Sequence, residues 1–113
     1  MDSTHLTFEF AKAAFDQKQY REAIDLLDRV LADEPDNTSV LELRARAHFH
    51  RAGLPKAEAD IRRLLELEPT SAYASELLAR VLERQSRHDE AAAVRRRLAA
   101  LTGDEKHLVS RKY

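Results

Sequence analysis

Apolar side chains recur along this chain at three- and four-residue intervals, with polar positions filling the gaps. That spacing puts the apolar set on one helical face, whereas a half-buried strand would alternate residue by residue. Over residues 4–18 the set is Leu6, Phe8, Phe10, Ala11, Ala14 and Phe15; over 21–33 it is Ala23, Ile24, Leu27, Val30 and Leu31. Gln19 and Tyr20 form a brief turn between the two. Pro35 stops the second helix, because its ring removes a donor and clashes with the preceding turn. Asn37, Thr38 or Ser39 can cap a third helix, Ser39 in a capping box with Glu42, and that helix runs to about Ala52. Gly53-Leu54-Pro55 turns into a fourth, with Pro55 tolerated at a first helical position. The fourth ends near Pro69, Ser71 can cap a fifth over about 72–86, and a sixth over about 88–102 stops at Gly103. The prediction is an all-α fold of six helices in three antiparallel pairs.

The pattern repeats. Shifted by 34 residues, Ala11, Ala45 and Ala79 coincide, as do Ala23, Ala57 and Ala91. Arg29, Arg63 and Arg97 share a register, and so do Val30, Leu64 and Leu98. The first two units share Phe15 with Phe49 and Pro35 with Pro69; the last two share Glu42 with Glu76 and Arg46 with Arg80. Small residues returning at one register mark close helix approaches, and a fixed period of this size is the mark of a repeat architecture.

The run Gln19-Tyr20-Arg21-Glu22-Ala23-Ile24-Asp25-Leu26-Leu27, followed by Ala32-Asp33-Glu34-Pro35-Asp36, resembles the tetratricopeptide repeat. A narrower similarity is to small stand-alone tetratricopeptide proteins of high-GC bacteria. The resemblance implies one domain over 1–113, a right-handed superhelix of three helix pairs at about 4–37, 38–71 and 72–103, with a C-terminal tail over 104–113. It also implies a non-catalytic protein-interaction module that binds a peptide or protein segment in its concave groove, which is formed by the first helix of each pair.

Helical geometry suggests which side chains line that groove. One row is Phe8, Glu42 and Glu76; the next is Lys12, Arg46 and Arg80; a third is Asp16, His50 and Arg84, with Tyr73 near the mouth. Neighbouring helices pack 8–10 Å apart, so the second row spaces three cations at roughly 10 Å intervals and suits an acidic partner. The same residues have a plainer reading. Glu42 precedes Arg46, and Glu76 precedes Arg80, by the four residues that favour intrahelical ion pairs on any solvated helix. Phe8 is either an exposed anchor or a core residue, and Tyr73 either closes the groove or packs on the previous pair. The two-carboxylate clamp some members of this family use for a partner's chain end is not expected here. The chain's one Asn is Asn37, at a helix start, and Phe8, Leu43, Tyr73 and Leu77 stand where polar groups would be needed.

The third unit departs from the pattern: His88 succeeds Tyr20 and Leu54, Arg95 succeeds Leu27 and Ile61, and Gly103 succeeds the two Pro. A terminal repeat has no following neighbour, so polar residues are expected on its outer face. The tail, with Leu108 and Val109, either adds a short covering helix or frays. If it leaves Val94, Leu98 and Leu101 uncovered, that end is a self-association surface, and a homodimer through the terminal helix pair is the alternative function.

Composition narrows the chemistry. With 19 Lys and Arg against 20 Asp and Glu the net charge is −1, and the cluster Arg95-Arg96-Arg97 has no interleaved aromatic, so no nucleic-acid partner is expected. No apolar run approaches the roughly 20 residues that span a bilayer, and no signal-peptide pattern opens the chain, so the expectation is a cytoplasmic protein with no membrane partner. Cysteine is absent. His48 and His50 lie two apart on a helix and cannot share one ion as an i, i+4 pair could. The two Gly supply no phosphate loop. No cofactor, metal or catalytic residue is expected, and the chain is read as not an enzyme.

Overall fold

The computed structural model describes residues 3–108. Six helices follow one another: α1 (Ser3–Asp16), α2 (Tyr20–Asp33), α3 (Thr38–His50), α4 (Leu54–Leu67), α5 (Ala72–Arg84) and α6 (His88–Thr102). A short 3₁₀ turn, Glu105–Leu108, follows α6. Val109 to Tyr113 of the expected tail lie outside the described residues. The helices pair as α1–α2, α3–α4 and α5–α6, and each pair packs on the next through α2–α3 and α4–α5. Stacking in one direction makes the molecule 44 Å long but only 24 by 19 Å across.

The 34-residue period is a period of backbone geometry too. Lys18, Ala52 and Ser86 each adopt a left-handed φ, at 63°, 59° and 60°. One residue later, the N–H groups of Gln19, Gly53 and Arg87 donate to the carbonyls of Ala14, His48 and Leu82 at 2.8–2.9 Å. This six-to-one bond satisfies carbonyls left over at a helix end. It also ends α3 and α5 two residues earlier than apolar spacing suggests. Glycine is absent from all three left-handed positions, so the usual signal for this turn is missing from the sequence. First helices start differently: Asn37 and Ser71 accept from the N–H of Val40 and Ala74, both at 3.2 Å. The capping box expected of Ser39 and Glu42 is not formed, because Asn37 takes the extended cap conformation and Ser39 already lies inside the helix.

Six alanines sit where helices cross. Ala11, Ala45, Ala79, Ala23 and Ala57 are fully buried, and Ala91 nearly so. Around them lie two apolar clusters, one built on Leu27, Val30 and Leu41, the other on Ile61, Leu78 and Leu82. The apolar set of α1 divides: Phe8 and Phe15 pack on the first cluster, whereas Leu6 and Phe10 are exposed.

Arg95 departs furthest from expectation. Read from the sequence as a water-facing residue of the last repeat, it is only 2% exposed. Its Nε and Nη2 donate to Glu83 at 2.8 and 2.9 Å, and Nη1 donates to Glu76 at 2.7 Å and to the His107 carbonyl at 3.3 Å. Two substitutions move together here. Position 95 is the register of Leu27 and Ile61, and position 83 is the register of Phe15 and Phe49. An apolar contact used twice is replaced by a two-pronged ion pair, closed over by the 3₁₀ turn.

Two stability outcomes follow from these geometries. Ala52→Gly relieves a left-handed alanine and is expected to raise unfolding free energy by about 0.5–1 kcal/mol, the strain removed less the added chain entropy. Arg95→Ala leaves two carboxylates without their buried partner and is expected to cost about 3 kcal/mol in urea unfolding. Restoring the pair of the first two repeats, Glu83→Phe with Arg95→Leu, is expected to recover most of that loss.

Candidate functional site

The first helices α1, α3 and α5 lie side by side, and side chains of each reach to the one before. The Arg46 guanidinium on α3 sits 4.8 Å from the ring centre of Phe15 on α1. Arg84 on α5 sits 5.1 Å from the ring of Phe49 on α3. On α1 itself the Lys12 ammonium lies 5.1 Å from the Phe8 ring. Three cations thus rest on three aromatic rings along one face. Such contacts contribute about 0.5–1 kcal/mol at exposed sites.

The first row holds Phe8, Glu42 and Glu76. Phe8 is half-buried against the first core cluster and carries Lys12 on its ring. Glu42 is half-buried. Glu76 is engaged by Arg95 at 2.7 Å and by Arg80 on its own helix at 3.8 Å. In the second row Lys12 pairs with Glu9 at 2.6 Å. Arg46 makes no ion pair with Glu42 and turns instead to Phe15, so of the two expected intrahelical pairs only Glu76–Arg80 forms. In the third row Asp16 and Arg84 are exposed. His50 stacks on Tyr20 with ring centres 4.7 Å apart and planes within 5° of parallel, while Phe15 meets it edge-on at 5.7 Å. That trio ties the end of α3 to the α1–α2 turn. Tyr73, at the start of α5, is 49% exposed.

Phe15 and Phe49, which share a register, pack on the two core clusters and also serve as platforms for Arg46 and Arg84. Sequence reasoning did not anticipate the stack of Tyr20 on His50. On the opposite face it missed a clamp: Arg44 donates to both oxygens of Asp60 at 2.9 and 2.7 Å and to Asp28 at 2.9 Å. Asp28, Arg44 and Asp60 stand 16 residues apart, a spacing that carries meaning only once helix pairing is known. At the C-terminal end two of the three residues whose cover was left open, Val94 and Leu98, are buried, Val94 in the second cluster. Leu101 remains 52% exposed. Among the described residues no three His, Asp or Glu side chains converge as a metal site requires, and no helix is long and apolar enough to cross a membrane.

Burial lowers the pKa of His50, and the nearby charges of Arg46 and Lys18 act in the same direction. Burial also lowers His48, with Asp60 opposing it. A histidine depressed in the folded state binds its proton more readily when unfolded. The stability it contributes is therefore complete above the unfolded value near 6.5 and is lost as pH falls below it. Urea midpoints are expected to drop between pH 7.5 and 5.5. His50→Phe, which keeps the stack but cannot take a proton, is expected to shrink that drop.

Comparison with known proteins agrees with this architecture. A family model described as anaphase-promoting complex, cyclosome, subunit 3 matches residues 16–98. No curated protein sequence matches. Among solved structures the chain is similar to the first tetratricopeptide domain of Spaghetti (RPAP3) bound to the HSP90 peptide SRMEEVD, at 22% identity over 93% of this chain and 83% of that one, with a TM-score of 0.82. It is similar to the OM64 tetratricopeptide domain of Arabidopsis, at 22% identity over 96% and 89% of the two chains, with the same TM-score. The Sgt2 tetratricopeptide domain of Aspergillus fumigatus matches at 21% identity over 96% and 76%, with a TM-score of 0.81. Period, helix pairing and family match agree: the chain belongs to the tetratricopeptide-repeat family that this model represents.

Proposed function

We propose that this protein is a non-catalytic interaction module whose concave face binds an acidic segment of another protein. The observation that carries the reading is the state of Arg46 and Arg84. Each guanidinium lies over a phenylalanine ring, and neither has an ion-pair partner among the described residues. A contact with a ring uses none of the guanidinium's N–H donors in an ion pair, and those donors can grip a carboxylate with two parallel bonds. Lys12, in the register of Arg46 and paired with Glu9, adds a third cation on the first helices, and Tyr73 is exposed at the start of α5. Glu76 competes little for those cations because Arg95 engages it. A neighbour of the same fold was solved with a peptide carrying adjacent glutamates. That supports a peptide segment as the class of ligand.

Fluorescence anisotropy with labelled Glu-rich heptapeptides, SRMEEVD among them, tests the reading. Affinity is expected to fall with salt and to drop about 10–100-fold in Arg46→Glu/Arg84→Glu, since each lost charged contact accounts for about 1.5–3 kcal/mol less the screening of an exposed site. Amidating the peptide's terminal carboxylate is expected to change little, because the groove lacks the clamp residues for a chain end. No salt-sensitive binding, or binding unchanged in the double variant, would remove the concave face as the site.

A further inference from the structure

We propose, on the acidic-segment reading of the concave face, that His50 joins Arg46 and Arg84 there as a cation when protonated, and that protonation tightens the grip on the segment. Five side chains form one run of contacts across the first helices. Arg46 lies 4.8 Å from the ring centre of Phe15, and Phe15 meets His50 edge-on at 5.7 Å. His50 and Phe49 stand 6.4 Å apart with their planes at 90°, and Arg84 lies 5.1 Å from the Phe49 ring. In that run the imidazole stands between the two arginines, and it is exposed. A carboxylate held by Arg46 is brought close to it, because guanidinium and imidazole both rest against Phe15.

Packing holds the ring in that place. Tyr20 stacks on one of its faces at 4.7 Å, within 5° of parallel, which leaves both ring nitrogens at the rim. A neutral imidazole has one donor and one acceptor; protonated, it has two donors and a charge. Protonation therefore turns a ring that offers a carboxylate one neutral hydrogen bond into one that offers a charge-assisted bond from either nitrogen.

The charges around the ring are mostly positive. Arg46 on α3 and Lys18 in the α1–α2 turn both act, with burial, to lower its affinity for a proton. Arg51 follows it in sequence, Arg84 reaches the adjacent Phe49 from α5, and from α2 come Tyr20 and, next to it, Arg21. Asp16, after Phe15 at the end of α1, is the acid of this set. The charges of α4, Asp60 and Lys56, act on His48 instead, which points about 200° away around the helix. A bound carboxylate opposes the cations, so the ligand raises the proton affinity of His50. By reciprocity the proton raises the affinity for the ligand by the same factor. The gain is absent at alkaline pH, grows as pH falls, and is complete below the value of the free protein, which lies under the ordinary 6.5.

Anisotropy titrations with labelled SRMEEVD at about pH 8 and about pH 5.5, at constant ionic strength and with helicity checked by circular dichroism, test this. The parent chain is expected to bind about 3–10-fold more tightly at the lower pH. H50F, which keeps a ring but takes no proton, and H50Q are each expected to lose that ratio, whatever affinity they retain at the higher pH. H48Q is expected to keep it. In proton NMR of the parent chain, the titration midpoint of the His50 Cε1–H signal is expected to move to higher pH when the peptide is bound, by up to about one unit for a tenfold gain. A parent ratio of one or below, a ratio retained in both His50 variants, or a midpoint that the peptide does not move would each overturn the proposal. Binding that depends on Arg46 and Arg84 but not on pH overturns it and leaves the acidic-segment reading intact, whereas no binding at either pH overturns both.

Discussion

Ala11, Ala45 and Ala79 on the first helices, and Ala23, Ala57 and Ala91 on the second, fix how closely the helices of each pair approach. A larger side chain at any of the six would push two backbones apart, and in a close-packed interior neighbours have little room to absorb the shift. Because the six return every 34 residues, each pair has nearly the same internal geometry and meets the next pair in nearly the same way. The shared turn geometry at residues 18, 52 and 86 belongs to this constraint. It brings three non-glycine residues into a left-handed conformation that their side chains disfavour, and packing on both sides of the turn holds them there.

Within that regular frame, two arginines break the apolar rule in different ways. Arg44 lies at the edge of the interior and joins α2, α3 and α4 through Asp28 and Asp60. Arg95 is wholly enclosed and joins α5, α6 and the 3₁₀ turn through Glu76, Glu83 and a backbone carbonyl. Enclosing such charges adds little net stability over an apolar core of equal volume, so their value lies elsewhere. At the last repeat, Phe and Leu in positions 83 and 95 would present an apolar face to whatever came next. A Glu–Arg pair in the same space is satisfied within the chain and gives a following helix nothing to pack on. Arg95 is thereby held by Glu76 and Glu83 and bonded by the backbone of the 3₁₀ turn.

The architecture was legible in the sequence because it rests on what a period reveals: recurring alanines, two prolines, and apolar spacing that changes phase at each turn. Helix boundaries came within a few residues wherever a proline or a cap residue marked them. They missed at Ala52 and Ser86, where a left-handed turn is made without glycine. Side-chain roles were less legible. Arg95 looked like surface because arginine usually is surface, and its burial depends on Glu83, a partner visible only when positions 15, 49 and 83 are compared together. Phe10 and Phe8 differ by two residues on one helix, yet one is exposed and the other packed. Which is which depends on where the first cluster lies against α1 rather than on either residue. For Arg46 the four-residue rule offers Glu42 as one alternative beside a ligand, and the contact that forms is with Phe15 on the neighbouring helix.

That contact bears on how the concave face can act. An arginine paired with a carboxylate four residues away must give up that partner before it can hold a ligand, and the exchange returns little. An arginine resting on an aromatic ring gives up nothing of the kind, since ring and carboxylate use different parts of the guanidinium. The ring also restricts the side chain, so less rotamer entropy remains to be lost when a ligand binds. Arg46 and Arg84 therefore differ from Arg80, although Arg80 shares the register of Arg46: Arg80 sits beside Glu76 and carries part of that carboxylate's charge balance. Under the binding proposed here, the energetic weight falls on the two ring-supported arginines, on adjacent first helices, and Arg80 acts mainly by keeping Glu76 neutralised.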